Sequence, residues 1–370
     1  MKVRVGVCGL GGMGLAYCLA LKKINGAELV AVCTRRPSMA REFAGKFHAR
    51  PYDQLSDMVK STDLDAVLIA TPNFLHAQQS VIALEAGKHV LCTKPMAVTL
   101  TEADRMIAQS RKSGRILEIG FQYRYDPRIY RAKQMIDAAQ LGRVFYGVDY
   151  LPIYRSEEYW DEEPWRGSIS QAGGGLLPTH ASHDLDYLQW FFGPIDWVMA
   201  RADTLVHHVE VEDTVSATLK FKSGAIVSFA GTLAACASKA PRFEIFGETG
   251  ALSLIRGRSE GKRPSALLFS NGKVWRTIAG KENVSSRPYW SRVPAWVTGI
   301  SCVPSVNALI RNLKEFLSSI VDEKEPLVPG EEGRKSLEMT DGIYRSSNEG
   351  SWSGFPSKAE RIHPLRGFLR

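Results

Sequence analysis

Residues 173–186 read GGGLLPTHASHDLD, which puts His180, His183, Asp184 and Asp186 within seven positions behind three glycines and a proline. Imidazole titrates near neutral pH, so a histidine held at the mouth of a site is a ready general base. His183 opens a helix beyond the glycine turn, where its ring can project from the helix start. Asp186 lies one helical turn further on the same face, either binding a substrate hydroxyl and orienting the ring, or capping and ion-pairing. Asp184 points elsewhere and reads as the favourable negative charge of a helix N-terminus. His180 and His183 also have the i, i+3 spacing of a metal pair. No cysteine or acidic cluster with ligand spacing accompanies them, so no metal is expected. His207 and His208 sit in a polar stretch and read as solvated loop residues.

A second chemical signature lies at the other end of the chain. Gly9-Leu10-Gly11-Gly12-Met13-Gly14 follows the strand-like VRVGVC and opens a helical stretch, which matches the dinucleotide-binding pattern in its required context. The first glycine permits a tight turn and the second lets the backbone approach a pyrophosphate. The third allows close helix–sheet packing, and the helix N-terminus faces the phosphates. At the end of the second strand, where an acid would select the ribose hydroxyls of NAD, this chain has Thr34-Arg35-Arg36. A hydroxyl and two guanidinium groups suit a 2′-phosphate, so NADP(H) is favoured, with NAD(H) the alternative if Arg35 only stacks on adenine.

These residues need a frame. Up to about residue 124, strands such as ELVAVCT, DAVLIATP, HVLCTKP and RILEIGFQY alternate with helices of about 10–15 residues, which predicts a parallel, doubly wound sheet covered on both faces. One helix carries a Thr-x-x-Asp start signal at Thr101. From residue 125 the pattern changes. A helix, PRIYRAKQMIDAAQL, the strand-like RVFYGVDYLPIY, the glycine segment and the helix SHDLDYLQWFF precede strand after strand, with turns at Lys222-Ser223-Gly224 and Ser270-Asn271-Gly272 that signal hairpins. A long helix, VNALIRNLKEFLSSI, and a shorter one, EGRKSLEMTDGIYRSS, close the chain. The prediction is thus an α/β protein: a dinucleotide-binding domain at 1–124, and an α+β domain with a large, mostly antiparallel sheet at 125–370. Two irregular stretches are long enough to carry function: YRSEEYWDEEPW (154–165), whose rings and acids suit a loop over a polyhydroxylated ligand or a solvated acidic loop, and SSRPYWSRVPAWVTGISCVP (285–304), which reads as a lid or binding loop or as an oligomer contact.

Composition narrows the class. At 370 residues, 44% hydrophobic and 23% charged, the chain has the profile of a two-domain globular protein. Its net charge of +8 is scattered, with no basic run or recognition motif, so no nucleic-acid partner is expected. No apolar run is long enough to span a membrane. Cys8, Cys33 and Cys92 lie in strand-like apolar runs and read as buried free thiols of a reducing compartment, so a cytoplasmic location is expected.

Taken together, the glycine fingerprint, Ala70-Thr71-Pro72-Asn73-Phe74-Leu75-His76, Thr93-Lys94-Pro95, GFQYRYDP (120–127) and Gly173-Gly174-Gly175…His183-Asp184-Leu185-Asp186 resemble the glucose–fructose oxidoreductase / inositol dehydrogenase / rhizopine catabolism (Gfo/Idh/MocA) family. The resemblance covers nearly the whole chain in order. It implies an N-terminal Rossmann domain, a C-terminal domain with an open sheet, and hydride transfer at a secondary hydroxyl of a sugar, glycoside or cyclitol. The nicotinamide would lie between the domains near the Lys-Pro turn. Thr71, Pro72, Asn73 and His76 would line the cofactor channel, with Thr93 and Lys94 beside it. Gln122 would approach the nicotinamide, and Trp165-Arg166 would reach its ribose. The resemblance also implies a homodimer or tetramer formed through the C-terminal sheet.

Under that resemblance His183 is the base for the substrate hydroxyl, and the Lys94 ammonium stabilises the developing alkoxide. Two departures stand out. The first position of the family's Glu-Lys-Pro is Thr93. The aspartate that many inositol-type members carry four residues before the histidine is Thr179. Without that carboxylate, His183 is expected to stay neutral to lower pH. His180 reads as a substrate-side hydrogen-bonding residue. Two rivals remain open: glycoside cleavage by transient oxidation with a retained cofactor, and a non-catalytic sugar- or dinucleotide-sensing regulator.

Overall fold

The computed structural model describes residues 2–61, 63–236, 241–255, 266–272, 274–279 and 306–355; the stretch 285–304 and the tail beyond 355 lie outside them. The chain separates into two compact units. The first is Met1–Tyr125 with Trp296–Arg334, and the second is Asp126–Ala295 with Lys335–Arg370.

In the first unit six parallel strands, β1 (Val3–Cys8), β2 (Ala27–Cys33), β3 (Arg50–Tyr52), β4 (Ala66–Ile69), β5 (His89–Thr93) and β6 (Leu117–Gly120), lie in the order β3-β2-β1-β4-β5-β6. All four residues of β4 are buried, as a strand covered on both faces requires. The order reverses between β1 and β4, so the turns after these strands open at the point where α/β sheets bind ligands. The helices are α1 (Gly12–Leu21), α2 (Pro37–Phe47), α3 (Leu55–Met58), α4 (Asn73–Glu85) and α5 (Leu100–Ser113). The start of α5 differs from the sequence reading. Its cap is Thr99, whose side chain accepts from the Glu102 amide while Glu102 reaches back to the Thr99 amide. Thr101 lies inside the helix.

The first unit also takes residues from far along the chain. After α6 (Pro127–Asp137), α7 (Glu157–Asp161), α8 (Ile169–Ala172) and α9 (Ser182–Phe192), the late helix α10 (Val306–Val321) packs with α1 and with the single turn Gln122–Tyr125. The segment behind it completes the edge of β6, where the Ile119 amide donates to the Val328 carbonyl at 2.9 Å. A boundary drawn once near residue 125 therefore misses α10. Its apolar face (Ala308, Leu309, Leu313, Phe316, Leu317) has its partner surface in the first unit. This contact encloses a polar knot. Glu118 is fully buried, and its Oε1 lies 3.1 Å from the Tyr125 hydroxyl and accepts from the Asn312 side-chain amide. The same Tyr125 hydroxyl lies 2.9 Å from Glu315 Oε2. One hydroxyl proton cannot serve both carboxyls. Burial first, and the neighbouring Glu315 second, hold the Glu118 carboxyl well above the usual carboxylate range.

The second unit is built on nine strands in the order β14-β13-β12-β11-β7-β10-β9-β8-β15. They are β7 (Val144–Pro152), β8 (Ile195–Asp203), β9 (Thr214–Phe221), β10 (Ile226–Thr232), β11 (Arg242–Gly247), β12 (Ala251–Ile255), β13 (Ala266–Ser270), β14 (Trp275–Ala279) and β15 (Ser353–Gly354). Every neighbouring pair is antiparallel except β7–β10. Both expected hairpins form, with Gly224 and Gly272 at positive φ. The inner face carries Val198, Leu219, Val227, Phe229 and Phe243. The final helix α11 (Gly330–Glu349) has 20 residues, longer than α10 rather than shorter.

Candidate functional site

The glycine turn closes β1 and starts α1. Gly9 has φ +90°, and a Cβ there would lie 2.5 Å from the Ala70 backbone, so the turn is tight against the end of β4. At Gly14 a Cβ would fall 1.8 Å from the Gly9 carbonyl oxygen, which fixes how closely α1 sits on the turn. A Cβ at Gly11 would meet no atom within 4 Å, so this backbone faces open space at the helix start, with Gly12 and Met13 forming the first turn. That arrangement fits a dinucleotide pyrophosphate. At the end of β2, Arg35 and Arg36 are exposed and Thr34 is half-buried; the Arg36 amide donates to the Thr34 hydroxyl. Among the described residues neither guanidinium has an ion-pair partner.

The turns after β4 and β5 are tied together by His76, which is 1% exposed. Its Nδ1 lies 2.7 Å from the Pro95 carbonyl oxygen and its Nε2 2.8 Å from that of Thr71. The Thr93 hydroxyl, 3.3 Å from Nε2, donates to the Ile69 carbonyl. Burial pulls His76 below the ordinary imidazole range, against the pull of the two carbonyls, and Lys94 adds to the lowering. Pro72 caps α4, Asn73 begins it and is buried, and the Thr71 hydroxyl bonds Gln79. Lys94 is half-buried at the cis Lys94–Pro95 bond, and Gln122 is buried after β6. The turns following β1, β4, β5 and β6 thus share the carboxyl end of one sheet.

In the second unit the glycine segment enters a π-helical turn, Leu176–His180, and then α9. The helix is anchored by rings: Phe191 stacks on Phe243 at 5.8 Å, and Phe192 packs on Phe221 at 5.3 Å. His183, Asp184 and Asp186 are all buried. Asp184 lies in the first turn of α9, the position of a favourable N-terminal charge, and is 1% exposed. Thr179 donates to the Gly174 carbonyl at 3.3 Å. His180 is half-buried, with Arg155 near Nδ1 and the Tyr159 hydroxyl near Nε2, both at 3.4 Å.

The acidic aromatic stretch is more ordered than its composition suggests, forming α7 and a 3-10 turn at Pro164–Gly167. Arg166 lies 4.3 Å from the Tyr159 ring centre and donates to the Tyr159 carbonyl, while Trp165 donates to Glu163. The reading of His207 as solvated is overturned. It is buried, with Nδ1 3.0 Å from Asp213 and Nε2 2.9 Å from the Arg155 carbonyl oxygen; only His208 is exposed. Two acids escaped the sequence reading. Glu212 accepts the Gly175 and Leu177 amides, and Asp213 accepts those of Leu205, Val206 and His207. Their signal was an Asp/Glu pair directly ahead of an alternating strand, a pattern that does not reveal burial.

Among the described residues, no group of three or more His, Cys, Asp or Glu side chains is arranged to hold a metal, and no helix is long and apolar enough to cross a membrane. Cys8, Cys18, Cys33 and Cys92 are buried free thiols, and Cys236 is an exposed one.

A doubly wound sheet with a glycine turn at its switch point, joined to a large open sheet carrying a buried histidine helix, defines a two-unit dinucleotide-binding oxidoreductase fold. Comparison with known proteins specifies the family. Residues 3–121 match the model of the oxidoreductase family with an NAD-binding Rossmann fold (GFO_IDH_MocA), and residues 129–253 match the GFO/IDH/MocA C-terminal domain. The chain belongs to the Gfo/Idh/MocA oxidoreductase family. It is 24% identical over 361 residues to the myo-inositol 2-dehydrogenase of Thermotoga maritima, covering 94% of this chain and 97% of that one. It is 25% identical to the levoglucosan dehydrogenase of Pseudarthrobacter phenanthrenivorans, covering 96% and 98%. Among solved structures it is similar to the WlbA dehydrogenase of Bordetella pertussis in complex with NADH and UDP-GlcNAcA, with TM-score 0.80, 26% identity, and 97% and 100% of the two chains covered.

Proposed function

We propose that the protein is an NAD(P)-dependent dehydrogenase acting on a secondary hydroxyl, or the corresponding ketone, of a sugar, glycoside or cyclitol. The observation that carries this reading is the end-to-end similarity to dehydrogenases of a cyclitol and an anhydrosugar, in a chain that keeps both Lys94 and His183. When bound, the nicotinamide supplies the two-electron hydride acceptor. His183 takes the hydroxyl proton as the carbon gives up hydride, and the Lys94 ammonium stabilises the alkoxide as it develops. Thr179, His180 and Asp186 belong to the substrate side of this reading. Trp165 and Arg166 belong to its cofactor side, with the glycine turn, Thr71, Pro72, Asn73, His76, Thr93 and Gln122.

NADP(H) is the favoured dinucleotide, supported by two exposed guanidinium groups and a hydroxyl at the end of β2 with no carboxylate among them. The protein works as a homo-oligomer through the outer face of the second sheet, where Tyr150, Met199 and Ile226 stand exposed on one side of β7, β8 and β10. A cytoplasmic location accords with its free thiols. The test is a panel of polyols, pyranoses and glycosides offered with NAD+ or NADP+ and followed by nicotinamide absorbance. Turnover of a secondary alcohol that is abolished in both Lys94→Ala and His183→Ala, with dinucleotide binding retained, supports the reading. Undiminished turnover in either variant overturns it.

A further inference from the structure

We infer that Glu212 is a positioning residue that holds His183 in place by gripping the backbone of the glycine segment; this rests on the reading of His183 as the base. Glu212 is fully buried just ahead of β9. Its two carboxylate oxygens accept the Gly175 and Leu177 amides, each at 2.8 Å, and its main-chain carbonyl accepts the Leu176 amide at 3.0 Å. One residue therefore satisfies three consecutive N–H groups at the entry to the π-helical turn. From there a hydrogen-bonded path continues into α9. The Leu176 carbonyl accepts the Ala181 amide at 2.7 Å, and the Ala181 carbonyl accepts the Leu185 amide at 2.9 Å. His183 sits inside that last turn.

The glycines match this clamp. A Cβ at Gly175 would lie 2.1 Å from the Glu212 carbonyl oxygen, and one at Gly174 would lie 1.8 Å from the Tyr344 hydroxyl. The triple glycine is thus the shape that lets β9 and α11 close on the segment. A carboxylate is the side chain suited to two parallel N–H donors, because both of its oxygens accept. A glutamine offers one acceptor, and its amide nitrogen opposes the second N–H.

The test is carbethoxylation of the histidines by diethyl pyrocarbonate, read by peptide mass spectrometry on the full chain, together with hydrogen exchange over 174–186. A hydrogen bond to a charged group is worth about 1.5–3 kcal/mol, which corresponds to roughly a tenfold or greater rise in local opening when it is lost. In Glu212→Gln, modification of His183 and exchange over 174–186 are therefore expected to accelerate about tenfold or more. The exposed His208 should react at its usual rate, and the β9–β10 amides should stay protected. Glu212→Asp, which keeps both acceptors, should recover part of the protection and serves if the glutamine variant does not fold. Unchanged His183 reactivity and exchange in the variant would overturn the inference, whatever the kinetics of His183→Ala. Full turnover in His183→Ala would instead overturn the base assignment and leave the clamp standing.

Discussion

The Nδ1 of His76 lies 2.7 Å from the carbonyl oxygen of Pro95, so a ring on α4 holds the turn that carries Lys94. A neutral ring carries one N–H and serves one of the two carbonyls, so His76→Leu keeps the bulk but leaves that carbonyl without its donor. At about 1–3 kcal/mol for an unsatisfied buried group, a loss of about 1–3 kcal/mol is expected, measured by urea denaturation. The pH dependence has a definite sign. The folded-state pKa of His76 is lowered, so its contribution is present above the ordinary imidazole value of about 6.5 and is lost as pH falls through the folded value. The leucine variant should lack that acid-side slope.

Glu118 should give the opposite slope. Its folded-state pKa is raised, so the folded protein keeps a proton that the unfolded chain releases. Its stabilising share is complete below the ordinary carboxylate range and shrinks as pH rises through the folded value. Glu118→Gln has no proton to lose. Its thermal midpoint relative to the parent is expected to be higher at about pH 8 than at about pH 5.

Placing a carboxylate at position 179 should move the kinetics. In Thr179→Asp a nearby negative charge favours imidazolium, so the acidic limb of the kcat/KM profile should shift to higher pH. An unmoved limb would show that position 179 does not act on the base.

For the dinucleotide, Arg35→Ala combined with Arg36→Ala should weaken NADPH by about tenfold or more, the worth of one or two charge-assisted hydrogen bonds, and leave NADH within about twofold. Titration by intrinsic fluorescence would check it. Equal losses for the two cofactors would remove the case for NADP(H).

Charge on the outer sheet face should break assembly. Met199→Glu with Ile226→Glu places carboxylates on β8 and β10, and sedimentation velocity should show a smaller species than the parent. An unchanged sedimentation coefficient would direct the search to another surface.

Much of this architecture was legible because it rests on local rules. The glycine turn, the apolar strands VLIA and LVAV, and the hairpins at Gly224 and Gly272 each announce themselves within about ten residues; of LVAV only Ala31 and Val32 are buried. What stayed hidden depends on partners distant in sequence. Nothing near Glu118 indicates Asn312, and nothing near Gly175 indicates Glu212. His207 looks polar and solvated until Asp213 and the Arg155 carbonyl are brought against it. At the start of α5 the Thr-x-x-Asp pattern pointed to Thr101, whereas the capping box forms between Thr99 and Glu102.

The return of α10 and residues 327–329 to the first sheet bears on the order in which the nascent polypeptide matures. When β6 leaves the ribosome, the amide of Ile119 and the carboxyl of Glu118 still lack partners that are encoded beyond residue 306. The interior of the first unit therefore closes only after the residues that carry Asn312 and Val328 have been translated, about 200 positions behind the strand they complete.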